Sequence, residues 1–226
     1  EDEDFDLKIQ RTANDTYVRA NKLKSHIIDN KEFLESSINL DLYSEDFSFR
    51  SELTVYEDLN KNHSDRFEFI LPRIDITKKI KNKTKLDGNF LLNSNNLIRN
   101  YETNIFEKTN INELIFNSSS KTTNGGVINS YDFKIKNINS DTQNSSLYKE
   151  NDNFYFSGLL QYNSSLPLLK ENDFFRKILK PKISFRISPN NTKDIRNRYV
   201  RMDVNNIYNL DRLSSANTAE GGASIT

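Results

Sequence analysis

Lys182-Ile183-Ser184-Phe185-Arg186-Ile187-Ser188 puts every apolar residue at an odd position and every polar one at an even position. Successive side chains of a strand point to opposite faces. The stretch therefore predicts a strand with one greasy face and one wet face, the wet one carrying a guanidinium at mid-strand. The same period recurs in Phe47-Ser48-Phe49-Arg50-Ser51-Glu52-Leu53-Thr54-Val55, with one polar gap at Ser51. Shorter examples are Leu7-Lys8-Ile9, Ile38-Asn39-Leu40-Asp41-Leu42, Phe133-Lys134-Ile135 and Val200-Arg201-Met202-Asp203-Val204. Polar clusters separate the runs: Asn60 to Asp65, Ser118 to Gly126, and two that read as longer loops, Asn137 to Ser146 and Pro189 to Asn197. Residues Ala20 to Leu34 read as a short helix or a long loop.

Two architectures accommodate this alternation. In a soluble sandwich the apolar face packs on a second sheet. In an outer-membrane barrel it meets lipid while the polar face meets water. Full charges at the inward positions Arg50, Glu52, Arg186 and Asp203, long strand candidates, and few prolines and glycines favour the barrel. The expectation is an all-β, antiparallel transmembrane β-barrel segment, roughly ten strands of a larger outer-membrane barrel. Residues 1–226 would belong to one barrel domain truncated at both ends.

Composition agrees with a chain that is polar but folded. Mean hydropathy is -0.75 and only 35% of residues are hydrophobic, yet there are 15 Phe and 10 Tyr. Disordered chains are poor in aromatic and β-branched residues. Lys+Arg and Asp+Glu balance at 32 each, so no net field favours nucleic acid as a partner. The absence of Cys removes thiol chemistry and cysteine metal sites. His26 and His63 are too far apart in sequence to suggest a metal centre. Carboxylate pairs such as Glu45/Asp46 and Glu102/Glu107 form no catalytic arrangement, so no enzyme, cofactor or metal is expected. No run of 18 apolar residues suggests a transmembrane helix.

The last third carries a more specific pattern. Leu179-Lys180-Pro181 opens the alternating strand, which ends at Ser188-Pro189-Asn190. Then come Asp203-Val204-Asn205-Asn206-Ile207-Tyr208-Asn209-Leu210-Asp211-Arg212-Leu213 and Glu220-Gly221-Gly222. This order and spacing resembles the lipopolysaccharide-assembly outer-membrane proteins of the LptD (OstA) family. That family has a Leu-x-Pro strand, an Asp-x-x-Asn-Leu-Phe-x-x-x-Arg-Phe block and a Gly after an acidic residue. Asp15-Thr16-Tyr17, Leu71-Pro72-Arg73-Ile74, Gly88-Asn89-Phe90-Leu91-Leu92, Leu97-Ile98-Arg99 and Leu166-Pro167-Leu168 are similar to earlier steps of the family pattern. All four prolines fall at family positions. The chain departs from it at Ser214-Ser215-Ala216-Asn217-Thr218, where the family often carries Gly, Asp and Arg.

The resemblance implies a mid-barrel fragment of the translocon that assembles lipopolysaccharide into the outer leaflet, located in the cell outer membrane of a Gram-negative bacterium. It implies as partners lipopolysaccharide, a plug lipoprotein (LptE-like), a periplasmic lipopolysaccharide bridge protein (LptA-like) and outer-membrane lipid. The family-motif positions are Leu71, Pro72, Leu179, Pro181, Asp203, Asn206, Tyr208, Asp211, Arg212, Glu220, Gly221 and Gly222. They read as structural, or as a network on the lumen wall. Pro72 and Pro181 would mark strand starts or breaks in the ladder, and the glycine pair a strand bend. A generic porin or receptor barrel and a soluble surface β-domain remain open as alternatives.

Overall fold

A computed structural model describes residues 2–21, 32–62, 64–81, 87–148, 150–172, 175–189, 202–210, 212 and 220–226. The described chain is all-β and antiparallel, apart from the four-residue helix α1 (Tyr17–Ala20). One sheet runs through β1 (Asp2–Lys8), β2 (Phe33–Tyr43), β3 (Phe47–Asp58), β4 (Phe67–Ile80), β5 (Gly88–Tyr101), β6 (Ile105–Ser118), β8 (Ile128–Gln143), β9 (Asn153–Ser165), β12 (Lys182–Ser188) and β13 (Gly222–Ile225). The two-residue β7 (Lys121–Thr122) pairs with β8. A separate hairpin is formed by β10 (Leu168–Asn172) and β11 (Phe175–Leu179). The sheet is open among the described residues, β1 and β13 being its ends. No described helix is long and apolar enough to cross a membrane.

The decisive feature is which face is covered. In β12 the polar residues Ser184, Arg186 and Ser188 are 4%, 2% and 4% exposed, whereas Ile183, Phe185 and Ile187 are 54%, 45% and 45% exposed. A water-soluble core has the reverse pattern. Among the described residues six hydrophobic side chains are buried against fifteen polar or charged ones, so the polar face is the sheltered one.

The chain divides into two compact units. The first comprises residues 1–78, 93–112 and 138–155. Here cross-strand pairs keep the apolar side chains together: Phe5 opposite Leu40, Leu7 opposite Ile38, Ile38 opposite Leu53, Leu42 opposite Phe49. Phe49 then faces Ile76, and Val55 faces Phe69. Between the pairs Glu52–Arg73 and Thr54–Ile70, β4 carries one more residue than β3. A bulge of one residue reverses the in-out parity of the strand. Phe67, Phe69 and Leu71 before it and Ile74 and Ile76 after it therefore share one face, despite their mismatched sequence parity. Pro72, which has no N–H for the ladder, sits in that irregular step. On the other face the charges pair: Lys8 with Glu35 at 2.9 Å, Arg50 with Asp41 at 2.7 Å, Arg99 with Glu68 at 2.7 Å.

The second unit comprises residues 79–92, 113–137 and 156–226. Its apolar face sets Phe185 between Tyr162 and Ile225, and Ile187 between Leu160 and Ala223. Its polar face carries Glu113, whose Oε1 lies 2.9 Å from Lys134 Nζ and 3.1 Å from Lys136 Nζ, with both lysines buried. Gly88 admits Phe116 and the chain at Asn117. A Cβ there would lie 2.4 Å from the Asn117 carbonyl oxygen and 2.6 Å from the Phe116 ring. Phe116 in turn contacts Phe90 and Tyr131, with ring centroids 4.6 and 5.7 Å apart.

Several expectations change. Residues 137–143 of the expected loop Asn137–Ser146 continue β8, with Ser140 and Thr142 on its sheltered face and Asn139 on the other, where its Nδ2 donates to Asn110 Oδ1 at 3.1 Å. Met202 to Val204 are not a strand: they lead into a turn, so Asp203 is not an inward mid-strand charge. Val200 and Arg201 lie outside the described residues, as do Asn190–Asn197 of the expected loop. Of Ala20–Leu34, residues 22–31 lie outside them too, and Phe33 and Leu34 already belong to β2.

Candidate functional site

The most densely bonded site is on the sheltered face of the second unit. The β9–β12 register sets Gln161 directly opposite Arg186. The Arg186 guanidinium donates to Gln161 Oε1, to Glu220 Oε2 and to the Asn209 carbonyl. Glu220, 6% exposed, also receives Arg212 in a two-pronged pair, with Nε to Oε2 at 2.9 Å and Nη2 to Oε1 at 2.6 Å. The remaining Arg212 donors reach Ser224 Oγ (2.6 Å), Thr226 Oγ1 (2.8 Å) and the Ile207 carbonyl (3.2 Å). All five N–H groups of this guanidinium are thus engaged, the condition under which its burial is tolerated.

Residues 203–210 form a compact turn laid on this face. The Asp203 carboxylate accepts the N–H groups of Asn205 (2.7 Å) and Asn206 (3.0 Å), and Asn206 Oδ1 accepts that of Asp203 (2.9 Å). Such short side chains bonding their own backbone stabilise a turn where a strand would otherwise run. The Tyr208 carbonyl accepts from Gln161 Nε2 at 2.8 Å. Tyr208 Oη donates to the Lys182 carbonyl at 3.1 Å, with Lys182 Nζ 4.3 Å from the ring centroid. The segment therefore covers β12 from the level of Arg186 to that of Lys182.

Glu220 lies outside the strands. Burial alone would raise its pKa, but the Arg212 hydrogen bonds and the Arg186 charge outweigh it and hold the carboxyl below its ordinary value. An ionised acid between two permanently charged guanidinium groups is a poor proton donor or acceptor. Its chemistry is that of a clamp, tying a chain segment to the sheet.

The twelve family-motif positions divide. Arg212 and Glu220 meet in the clamp, and Tyr208 anchors beside it. Gly222 begins β13 with φ +80°, a left-handed conformation that suits glycine, and Gly221 links it to Glu220. Asp203 and Asn206 shape the turn from its open side. Asp211 lies outside the described residues. Pro181 precedes β12, its carbonyl accepting the Leu166 N–H at 3.1 Å. Leu179 ends β11 and is exposed, while Leu71 and Pro72 lie in the other unit at the β4 bulge. Sequence reading missed Gln161, Ser224 and Thr226 as clamp partners. Only the isolated Gln161 between Leu160 and Tyr162 hinted at a wet-facing position, and its pairing with Arg186 needed the register.

The first unit bears a second feature, a concavity of about 530 Å³ lined in part by Lys8, Glu35, Tyr56, Arg66, Arg99 and Tyr101. The Arg99 guanidinium lies 3.9 Å from the Tyr101 ring centroid, and Arg66 bonds Asp15 and Glu57, each at 2.6 Å. Paired charges beside aromatic rings form a surface suited to hydrated, hydroxyl-rich ligands. Comparison of the chain with protein-family models and with curated proteins finds no match.

Proposed function

We propose that this chain is part of the wall of an outer-membrane β-barrel that passes lipopolysaccharide to the outer leaflet. The observation that carries the reading is the inverted burial: charges and hydroxyls sheltered, large apolar side chains outward. In lipid, outward apolar groups cost nothing and every backbone N–H and C=O is satisfied strand to strand. Strand length supports it. A membrane strand needs about 9–11 residues, and β4, β5, β6, β8 and β9 have 13 to 16. The glycolipid cargo follows from the family resemblance of the Leu179–Gly222 block. The ion-paired, tyrosine-bearing concavity suits a charged sugar head that must stay hydrated while its acyl chains remain in lipid. Translocation of this kind breaks no covalent bond. An LptE-like plug and an LptA-like bridge would be the protein partners.

The cysteine-free chain makes the test clean. Single cysteines are placed at Phe185, Ile187 and Leu53, and at the wet-face positions Ser48 and Arg50, in the full-length protein within native outer membranes. The first three should react with a lipid-soluble maleimide and resist a charged one, and the last two should do the reverse. Equal reaction with the charged reagent at both sets refutes the membrane wall. A photo-crosslinking residue at Tyr56 should capture lipopolysaccharide. A wall that labels as expected while Tyr56 captures none, in membranes that conduct small solutes through this protein, is a porin.

A further inference from the structure

The β10–β11 hairpin is a sheet of its own, outside the ladder of the main sheet. It is two strands wide, and Leu168, Leu169, Phe175, Ile178 and Leu179 on it are 43–67% exposed. A lone hairpin of this width is marginal in water and needs a surface to rest on. Its register sorts the side chains. One face stacks three cross-strand steps, Leu168 opposite Leu179, Lys170 opposite Lys177, and Asn172 opposite Phe175. The other face has Leu169 opposite Ile178 and Glu171 opposite Arg176, a step of opposite charges.

The Lys170–Lys177 step is the unusual one. Like charges directly opposite on a strand pair repel and destabilise it, and the neighbouring Phe175 ring, 4.7 Å from Lys177 Nζ, supplies no counter-charge. An anion bridging the two ammonium groups would turn this repulsion into attraction. The apolar step lies two residues nearer the main sheet, about 7 Å along the strands. Cations thus flank the leucine step on both sides, Lys180 and Lys182 toward the main sheet and Lys170 and Lys177 toward the tip of the hairpin, the arrangement of an apolar step lying at a membrane surface with ammonium groups reaching the headgroups. We propose that this hairpin is an interfacial foot. It seats its leucine step at the acyl boundary and its lysine pair among the phosphates of anionic phospholipid. The inference rests on the membrane-wall reading above.

Connection lengths favour a phospholipid surface. On the hairpin's end of the second unit the other connections span residues 81–87 and 119–127, while the opposite end carries 189–221. Barrels of this kind have short periplasmic turns and long extracellular loops, so the foot faces the phospholipid leaflet.

The test uses the full-length protein refolded into vesicles of phosphatidylcholine alone, or of phosphatidylcholine and phosphatidylglycerol in equal parts. An environment-sensitive fluorophore is attached at Leu168→Cys, on the leucine step itself, or, separately, at Ile187→Cys, and brominated lipid serves as quencher. Quenching at position 168 should be stronger in the anionic vesicles and fall with added salt. It should drop when Lys170→Gln and Lys177→Gln are combined, by roughly fivefold per lysine in the seated-to-lifted ratio. Quenching at 187 should be indifferent to all three changes. Quenching at 187 with none at 168, or equal quenching at 168 in both vesicles, overturns the foot and leaves the wall intact. Absence of quenching at 187 overturns both. Protection of 168 that appears only when another envelope protein is added makes the hairpin a protein-docking element and also overturns the proposal.

Discussion

Replacing Glu220 with Gln tests the clamp most directly. The side-chain volume is kept, but the charge between Arg186 and Arg212 is lost. The carboxylate now accepts from Nε and Nη2 of Arg212 and from Nη1 of Arg186. An amide offers one acceptor oxygen and turns an NH2 group toward donors. At least one buried guanidinium N–H is then orphaned, at about 1–3 kcal/mol, and two cations are left without a counter-charge. The expected loss is about 3–5 kcal/mol, the usual cost of removing one partner from a buried ionic network. Little of the sheet ladder depends on Glu220, so the cost should appear as local opening of residues 203–210. The assay is hydrogen exchange of the Ile207 and Asn209 amides, which bond to the Asp203 and Asn206 carbonyls, in the full-length protein. Protection there should fall about a hundredfold or more, at about 1.4 kcal/mol per decade, while β3 amides stay unchanged. Unchanged protection at 207 and 209 would refute the claim that Glu220 holds the segment.

Acid should act on the same clamp. Because the Glu220 pKa is lower folded than unfolded, its stabilisation is complete above the unfolded carboxyl range and fades as pH falls through the depressed folded value. Opening of the 203–210 turn, corrected for intrinsic exchange, should begin as pH falls into the ordinary carboxylate range and grow until the depressed folded value is passed, and Glu220→Gln should abolish the dependence. Leu53→Arg, on the outward face opposite Ile38, should cost about 2–4 kcal/mol if it faces hydrocarbon. Ser48→Arg on the wet face of the same strand should cost far less; denaturant titration of the vesicle-refolded protein compares them. Gly88→Ala should destabilise by about 1–3 kcal/mol, since its Cβ meets a backbone oxygen at 2.4 Å, and the loss should shrink when Phe116→Leu is combined with it.

By alternation alone Ser184 and Arg186 are equivalent wet-face positions of one strand. The structure separates them, because Arg186 bonds a side chain of the neighbouring strand, a turn carbonyl and an acid 34 residues away. Likewise Asp203, which alternation placed in a strand, caps a turn. Its carboxylate satisfies two backbone N–H groups locally, a competition that period counting does not weigh.

The amino-acid sequence alone determined that this chain makes antiparallel strands with one apolar and one charged face, because a period of two admits no other regular structure. It also marked Pro72 as a break, since proline cannot donate to a ladder. Tertiary structure decided which face is sheltered, how the β4 bulge realigns two runs of opposite parity, and that Glu220 meets Arg186 and Arg212. These depend on register and on the return of a distant segment, and neither is encoded in the local alternation of any one strand.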